Sequence, residues 1–287
     1  ILALIKIEIE EYDNIEAYYA KSYKETAKLL REHQGNFHAA ILDLTLPDSS
    51  KGEIVKLANS HKIPSVILSA TLDDNLRNTI LKKDIIDFVF KNDSGSIKFA
   101  VKSVYRVLKN YDTTVLIVDD SKVYRSALKN ILKKIHLNVL EAKDGLEALS
   151  ILENNPEISL LITDYEMPNL NGHELTFKIR EKNEKDSLSI IAMSSTEDQD
   201  TITKFLKLGA NDFIIKPFSD NEIITRINSN LELLDIFSQL KNMANKDFLT
   251  GLYNRRYFFD SGNQIFSKNK RKKINSLYFI NGVVRLS

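Results

Sequence analysis

Residues 160–168 read LLITDYEMP, an unbroken apolar run that ends in an aspartate and a turn. The run predicts a strand at Leu160–Thr163 that is buried on both faces, because a strand with one face in water alternates apolar and polar residues. Similar runs flank it at Val115–Val118, Asn138–Glu141, Ile190–Met193 and Phe213–Ile215. The segments between them carry apolar residues at helical spacing, such as Leu128, Ile131, Leu132 and Ile135. This alternation predicts a doubly wound α/β fold around a parallel sheet.

The preceding part of the chain repeats the same pattern. Its predicted strands are Ile15–Ala20, His38–Leu44, Ser65–Ser69 and Ile86–Phe90. In both copies an aspartate stands four residues before a proline, and a serine stands twenty-two residues before a lysine. The pairs are Asp43 and Pro47, Asp164 and Pro168, Ser69 and Lys91, and Ser194 and Lys216. One structural unit is therefore used twice.

The first copy lacks the beginning of the unit. In the second copy Asp164 follows Asp119 by 45 residues, and the same distance before Asp43 falls before Ile1. We therefore expect the first strand and its acidic residues to lie upstream of this chain, and residues 1–13 to form the first helix. The local pattern argues otherwise, because isoleucines alternate with charged residues from Ile5 to Glu10, as they do in a strand.

Composition limits the classes of function. Of 287 residues, 43% are hydrophobic and 28% charged, and 40 Lys and Arg nearly balance 39 Asp and Glu. We therefore expect no nucleic-acid partner, since no global basic field is present. The absence of cysteine excludes disulfides, thiolate metal sites and a cysteine nucleophile. No apolar run approaches the length of a membrane span, so we expect no membrane partner and a cytoplasmic location.

Five polar side chains of the second unit stand where its predicted strands end. They are Asp119, Asp120, Asp164, Ser194 and Lys216. Ligands of parallel α/β sheets bind at the carboxyl ends of the strands, so these residues are expected to converge. Carboxylates suit Mg²⁺, a carboxylate can be a nucleophile for phosphorus, and an ammonium group offsets phosphoryl charge. The set predicts phosphoryl transfer to a carboxylate, with the central Asp164 as the best candidate.

In order and spacing, this second unit resembles a response-regulator receiver domain over roughly residues 113–235. The matching features are the acid pair, the D-x-x-M-P loop that begins at Asp164, the downstream Gly172, the switch hydroxyl and the Lys216-Pro217 pair. The resemblance implies that Asp164 accepts phosphate from a histidine kinase or phosphotransfer protein.

The resemblance also implies roles for the neighbouring residues. Magnesium, the one cofactor expected in this chain, would be held by Asp119, Asp120, Asp164 and the backbone carbonyl of Glu166. Lys216 would contact the phosphoryl group, and Ser194 and Phe213 would be the coupled pair that reorients on phosphorylation. In the first unit, residues 1–110, the matching positions are Asp43, Ser69, Phe88 and Lys91. Without an acid pair that unit is not expected to be phosphorylated here; in the parent it is either a second phosphoacceptor or a docking module.

The second unit runs into a long helical stretch from Asp220 to about Asn245. Its apolar stripe overshoots a sheet edge, so residues 236–246 are either a dimer stalk, which implies a homodimer, or an unpaired linker helix. Residues 247–256 then read DFLTGLYNRR, which resembles the opening of GGDEF domains, the diguanylate cyclases that convert GTP to cyclic di-GMP. Residues 247–287 would be a truncated α+β domain start. Leu277–Ile280 is the candidate for its first strand, but the cyclase residues that bind metal and GTP have no positions in this chain.

The complete prediction is therefore two flavodoxin-like receiver domains, the first without its first strand, followed by a helical stalk and the start of a cyclase domain. Its leading function is a response regulator whose phosphorylation at Asp164 switches a diguanylate cyclase output in the full-length parent. The alternatives are a phosphorylation-independent adaptor or dimerisation module and a cyclase in its own right. A DNA-binding regulator is disfavoured, since no helix-turn-helix pattern follows the receivers.

Overall fold

The computed structural model describes residues 1–12, 15–49, 52–70, 85–91, 94–195, 198–247, 250–259 and 261–262. The chain divides into two compact units, Ile1–Leu231 and Glu232–Ser287. The predicted strand Leu277–Ile280 lies outside the described residues. No described helix is long and apolar enough to cross a membrane.

The amino-terminal part of the first compact unit holds a three-stranded parallel sheet in the order β1-β2-β3. Its elements are α1 (Leu2–Glu10), α2 (Tyr23–Glu32), β1 (Ala40–Asp43), α3 (Glu53–Ser60), β2 (Ser65–Ser69), β3 (Asp87–Phe90) and α4 (Ser94–Asn110). The strand predicted at Ser65–Ser69 is confirmed at both ends, and the predicted α/β architecture is present.

Two expectations for the first thirty residues have opposite outcomes. The alternating isoleucines lie in helix α1, as the repeat register predicted, and Ile5 packs on the core that includes Val66 and Val101. The strand predicted at Ile15–Ala20 is wrong, because these residues form neither strand nor helix. In the second sheet the equivalent edge strand pairs only with the first strand of its unit. The described residues contain no such partner strand before β1, so the segment has nothing to bond to.

The second sheet has five parallel strands in the order β5-β4-β6-β7-β8. Its elements are β4 (Thr114–Val118), α5 (Lys122–Lys134), β5 (Asn138–Ala142), α6 (Gly145–Asn154), β6 (Ile158–Asp164), α7 (Gly172–Arg180), β7 (Ser189–Ser194), α8 (Gln199–Leu208), β8 (Asp212–Ile215) and α9 (Asp220–Asn245). The strand order reverses between β4 and β6, which places a crevice at their carboxyl ends. All five predicted strands are present, each extended by one to three residues.

Burial explains why the apolar runs predicted these strands. Residues 115–118, 160–163 and 189–194 are all buried, as expected for strands covered by helices on both faces. Helix α9 buries Ile223, Ile227 and Leu231 in the first compact unit. These residues recur at intervals of four, so they form one stripe facing the sheet.

The two sheets are joined by the short segment between α4 and β4. The side-chain amide of Asn110 is almost fully buried and donates to the backbone oxygen of Ile135 at 2.9 Å. The ring of Tyr111 stacks on His136, with 4.7 Å between ring centroids, and its other neighbour is His38 at 5.3 Å. The connecting residues therefore contact His38, which precedes β1, and His136, which precedes β5.

In the second compact unit the described residues of the tail motif, 247 and 250–256, make several local hydrogen bonds. The Oδ1 atom of Asp247 accepts hydrogen bonds from the backbone nitrogen and the hydroxyl of Thr250, at 3.0 and 2.8 Å. Gly251 has φ = 67°, a left-handed conformation that favours glycine. The side chain of Asn254 then accepts from the backbone nitrogen of Tyr257 at 2.9 Å and caps the helix that begins at residue 255.

Candidate functional site

The carboxyl edge of the second sheet brings three carboxylates and one ammonium group together. Asp119 follows β4, Asp164 ends β6 and Lys216 follows β8. The Nζ atom of Lys216 lies 2.8 Å from Oδ2 of Asp119 and 3.0 Å from Oδ1 of Asp164. These three predicted residues therefore form one hydrogen-bonded group, with the lysine donating to both acids.

Asp120 completes an acidic cluster with Asp119 and Asp164. Each of the three offers a carboxylate oxygen, and these atoms lie within 4.8 Å of one another. Asp119 is buried and Asp120 is exposed, so the cluster opens to solvent on one side. It is the one group of three or more potential metal ligands found in the described part of the chain. Oxygen donors with an open, solvated side fit Mg²⁺, which binds through a few carboxylates and keeps several waters.

Local hydrogen bonds hold the acid pair at the start of helix α5. The Oδ1 atom of Asp119 accepts from the backbone nitrogen of Ser121 at 2.8 Å, and Ser121 is the N-cap of α5. Arg125 donates from Nη1 to the backbone oxygens of Asp119 and Asp120, at 2.7 and 3.2 Å. Its Nε atom is 3.7 Å from Oε2 of Glu141. The first turn of α5 is thereby fixed against the ends of β4 and β5.

The turn after β6 fixes Asp164. Its Oδ1 atom accepts from the backbone nitrogen of Tyr165 at 3.0 Å, and that nitrogen also lies 2.8 Å from the oxygen of Met193. The backbone nitrogen of Gly172 donates to the oxygen of Tyr165 at 3.0 Å. A Cβ atom on Gly172 would lie 2.0 Å from the backbone oxygen of Asp164. Glycine is required at this position because helix α7 begins against the backbone of Asp164.

Burial and charge set the protonation of the pair. Burial raises the pKa of Asp164, and this effect, helped by the negative charge of Asp119, outweighs the lowering by Lys216. Burial alone would lower the pKa of Lys216, but its hydrogen bonds to Asp119 and Asp164 and their charges raise it overall. Lys216 therefore stays protonated, and its ammonium group is bonded within a cluster of three carboxylates.

The remaining predicted residues of this unit lie around the same edge. Ser194 ends β7 and is buried, and its backbone oxygen accepts from the nitrogen of Lys216 at 2.8 Å. Phe213 is buried in the core beside Phe205, with 6.0 Å between ring centroids. Glu166 lies in the turn after Asp164 with its side chain exposed.

Two residues of the site were missed by sequence reasoning. Arg125 was not expected to hold the acid pair, and Tyr124 was not expected to reach Lys216, whose Nζ lies 4.4 Å from the centre of its ring. Both stand in the first turn of the helix that follows the acids. The sequence signal that could have identified Tyr124 and Arg125 is their position, three and four residues after Ser121, the N-cap of this helix.

The first sheet holds a smaller version of this arrangement. The Nζ atom of Lys91 lies 2.5 Å from Oδ2 of Asp43, and the backbone nitrogen of Lys91 donates to the oxygen of Ser69 at 2.9 Å. Phe88 is half-buried beside Phe90. The four predicted positions are therefore close to one sheet edge, but no acidic cluster was found there among the described residues.

The second sheet thus belongs to a parallel α/β domain with an acidic, cation-type site at its carboxyl edge. Comparisons with known proteins identify its family. The protein-family model of the response regulator receiver domain matches residues 115–228 of this chain. The chain is 39% identical to a chemotaxis protein CheY homolog of Campylobacter jejuni over 106 residues, which is 37% of this chain and 82% of that protein. It is 36% identical to the two-component response regulator ORR5 of Oryza sativa over 109 residues, 38% of this chain and 81% of that protein.

A solved structure resembles a larger part of the chain. It is described as a putative two-component system response regulator/GGDEF domain protein and is 35% identical, with a TM-score of 0.69 over 81% of this chain and 94% of that one. The chain belongs to the response-regulator family, and its second sheet is a receiver domain.

Proposed function

We propose that Asp164 is the phosphoacceptor of a switch that receives its phosphoryl group from a histidine kinase or phosphotransfer protein. The observation that carries the proposal is the position of Lys216, which bonds both Asp119 and Asp164 inside the acidic cluster. A carboxylate beside a fixed ammonium group and a cation-type cluster has the components that phosphoryl transfer needs.

In the proposed reaction a carboxylate oxygen of Asp164 attacks the phosphorus of the donor. The bond between phosphorus and the donor atom breaks, and the leaving group departs with the electron pair. Magnesium, held by Asp119, Asp120, Asp164 and the backbone carbonyl of Glu166, would supply positive charge that offsets the phosphoryl oxygens. Lys216 exchanges its bond to Asp164 for one to a phosphoryl oxygen while keeping its bond to Asp119.

The proposed response to phosphorylation involves Ser194 and Phe213. Ser194 ends the strand next to β6, where it can donate to a phosphoryl oxygen. Phe213 lies on the adjacent strand β8, where its register partner is Ala192, two residues before Ser194 on β7. A shift of the hydroxyl therefore changes the packing of Phe213 and the surface beside α8 and α9, which is the expected output of the switch.

We propose that the chain carries tandem receivers, residues 1–110 and 113–235, followed by a stalk at residues 236–246 and the start of a GGDEF domain at residues 247–287. The neighbouring structure described as a response regulator/GGDEF domain protein supports a cyclase output in the full-length parent. The DFLTGLYNRR sequence after helix α9 supports the same assignment. The first receiver would not accept phosphate here, since no acidic cluster accompanies Asp43 among the described residues.

Intact-mass spectrometry after incubation with acetyl phosphate and Mg²⁺ tests this proposal. We expect one added phosphoryl group on the wild-type chain and on Asp43→Asn, and none on Asp164→Asn. Two groups would mean that the first receiver is also active. No group on the wild type would contradict the proposal and favour the adaptor, whose partner binding would be unchanged by Asp164→Asn. Incubation with GTP and Mg²⁺ tests for cyclase activity of the chain itself, which we expect to be absent.

A further inference from the structure

Tyr124 forms the outer wall of the space that holds the ammonium group of Lys216. The Nζ atom lies 4.4 Å from the centre of the tyrosine ring, within the range of a cation–π contact. The lysine side chain is only 5% exposed, whereas Tyr124 is 43% exposed. Solvent therefore meets the aromatic ring where it would otherwise meet the ammonium group.

The ring is held in this position by its helix. The backbone nitrogen of Tyr124 donates to the N-cap hydroxyl of Ser121, and its neighbour Arg125 bonds the backbone oxygens of both acids. The ammonium group is thus bounded on three sides, by Asp119, by Asp164 and by the face of Tyr124. An aromatic face attracts a cation without competing for its N–H donors as a third acid would.

The first receiver offers an internal comparison. Its corresponding helix, α1, contains no aromatic residue. The side chain of Lys91 is 11% exposed there, against 5% for Lys216. The aromatic wall is therefore a feature of the receiver that has the acidic cluster.

We infer that Tyr124 is a positioning residue for phosphoryl transfer, which holds the Lys216 ammonium group where a phosphoryl oxygen will arrive. The inference rests on the proposed phosphoacceptor role of Asp164. During transfer Lys216 must release Asp164 and bind a phosphoryl oxygen. The contact with the Tyr124 ring restricts the other positions that the ammonium group can adopt. Pre-organised charge of this kind lowers the barrier to transfer.

Substitutions at Tyr124 separate the aromatic face from mere bulk. Tyr124→Phe keeps the ring, Tyr124→Leu keeps an apolar side chain without a ring, and Val123→Ala changes an adjacent residue that is 78% exposed. With acetyl phosphate and Mg²⁺ as probe, we expect the rate constant for acyl-phosphate formation to fall roughly 3- to 30-fold in Tyr124→Leu, the range of cation–π contacts. Tyr124→Phe and Val123→Ala should stay close to the wild type. If the wild-type chain is phosphorylated but Tyr124→Leu and Tyr124→Phe form the acyl phosphate at equal rates, the inference is overturned. The proposed function would remain intact.

A double-mutant cycle tests the contact without any phosphorylation. Tyr124→Leu, Lys216→Met and the double variant are unfolded in urea without Mg²⁺, and their unfolding equilibrium constants are compared. We expect the Tyr124→Leu change to lower stability roughly 3- to 30-fold more when Lys216 is present than when it is methionine. Equal effects in both backgrounds would overturn the inference even if the wild-type chain proved unable to accept phosphate.

Discussion

The side chains of Asp119 and Lys216 form a buried ion pair across the ends of β4 and β8, with 2.8 Å between Oδ2 and Nζ, although their residue numbers differ by 97. Asp119 is fully buried, and the lysine is the group that offsets its charge in the metal-free protein. Removal of one partner from a buried pair leaves an uncompensated charge, which is far more costly than the pair is stabilising.

We therefore expect Lys216→Met to lower the free energy of unfolding by about 3–5 kcal/mol in the absence of Mg²⁺. Millimolar Mg²⁺ should restore part of this loss, because a bound cation replaces the missing positive charge among the three carboxylates. Urea unfolding with and without Mg²⁺ measures both quantities. Lys91→Met is the matched control: Asp43 is 31% exposed, so its loss should be clearly smaller and indifferent to Mg²⁺. Equal losses in the two variants would contradict this account.

Gly172 gives a second prediction, because helix α7 starts in contact with the backbone of Asp164. An alanine Cβ would lie 2.0 Å from that backbone oxygen, so either the turn after β6 or the start of α7 must move. We expect Gly172→Ala to cost about 1–3 kcal/mol of stability, as overpacking does, and to slow phosphorylation of Asp164 strongly. Gly262→Ala is the control, since its Cβ would meet nothing within 4 Å. Normal phosphorylation of Gly172→Ala by acetyl phosphate would show that the turn tolerates displacement.

Much of the fold could be predicted from the sequence because its strands are buried on both faces. A strand such as β7, with every residue buried, has to be apolar throughout, and that run is visible without a structure. The edge segment Ile15–Ala20 shows where the reasoning fails. Its composition suits a strand, but a strand needs a bonded neighbour, and a local pattern contains no information on whether that neighbour is present.

The candidate site was predictable to a similar extent. Asp164 and Lys216 were expected to meet because parallel strands place their carboxyl ends along one edge, and they do lie 3.0 Å apart. Tyr124 was not expected because its role depends on the direction of a ring in the first turn of α5. Spacing along the sequence specifies which turn a residue occupies, but not the distance from its ring to a lysine that follows 92 residues later.

His173 predicts a pH dependence of stability. Burial, together with the charge of Lys204, holds the pKa of His173 below its usual value, and its Nε2 atom is buried without a hydrogen-bond partner in the described part of the chain. A histidine with a lowered pKa in the folded state favours the neutral form. Its contribution to stability is therefore present above the pKa of the unfolded chain, about 6.5, and is lost as the pH falls through the lower, folded value.

We accordingly expect His173→Phe, which preserves an aromatic ring beside Phe205, to lose less stability than the wild type between pH 7 and pH 5. Urea unfolding at several pH values provides the measurement. His61→Gln removes an exposed imidazole and serves as the control. Parallel pH profiles for His173→Phe and the wild type would show that another group carries the acid sensitivity.

The second compact unit begins with the exposed half of helix α9, and that half carries an apolar stripe. Leu233, Ile236, Phe237, Leu240 and Met243 are each at least 42% exposed. Their spacing of three and four residues places them along one side of the helix, as in helices that pair with a partner helix. This geometry suits the first of the two alternatives that the sequence left open, a dimer stalk, and it can be tested.

A charge in the middle of the stripe should prevent this pairing, because two copies would each bury an unpaired carboxylate. We expect Phe237→Glu to raise the dimer dissociation constant at least roughly tenfold, the equivalent of about 1.4 kcal/mol. Asn242→Glu adds the same charge on the opposite side of the helix, where it remains in water and should leave self-association unchanged. Sedimentation equilibrium over a range of protein concentrations compares the three chains. If Phe237→Glu associates as the wild type does, the stripe is not the dimer contact, and α9 is a linker whose apolar side is covered by something other than a second copy.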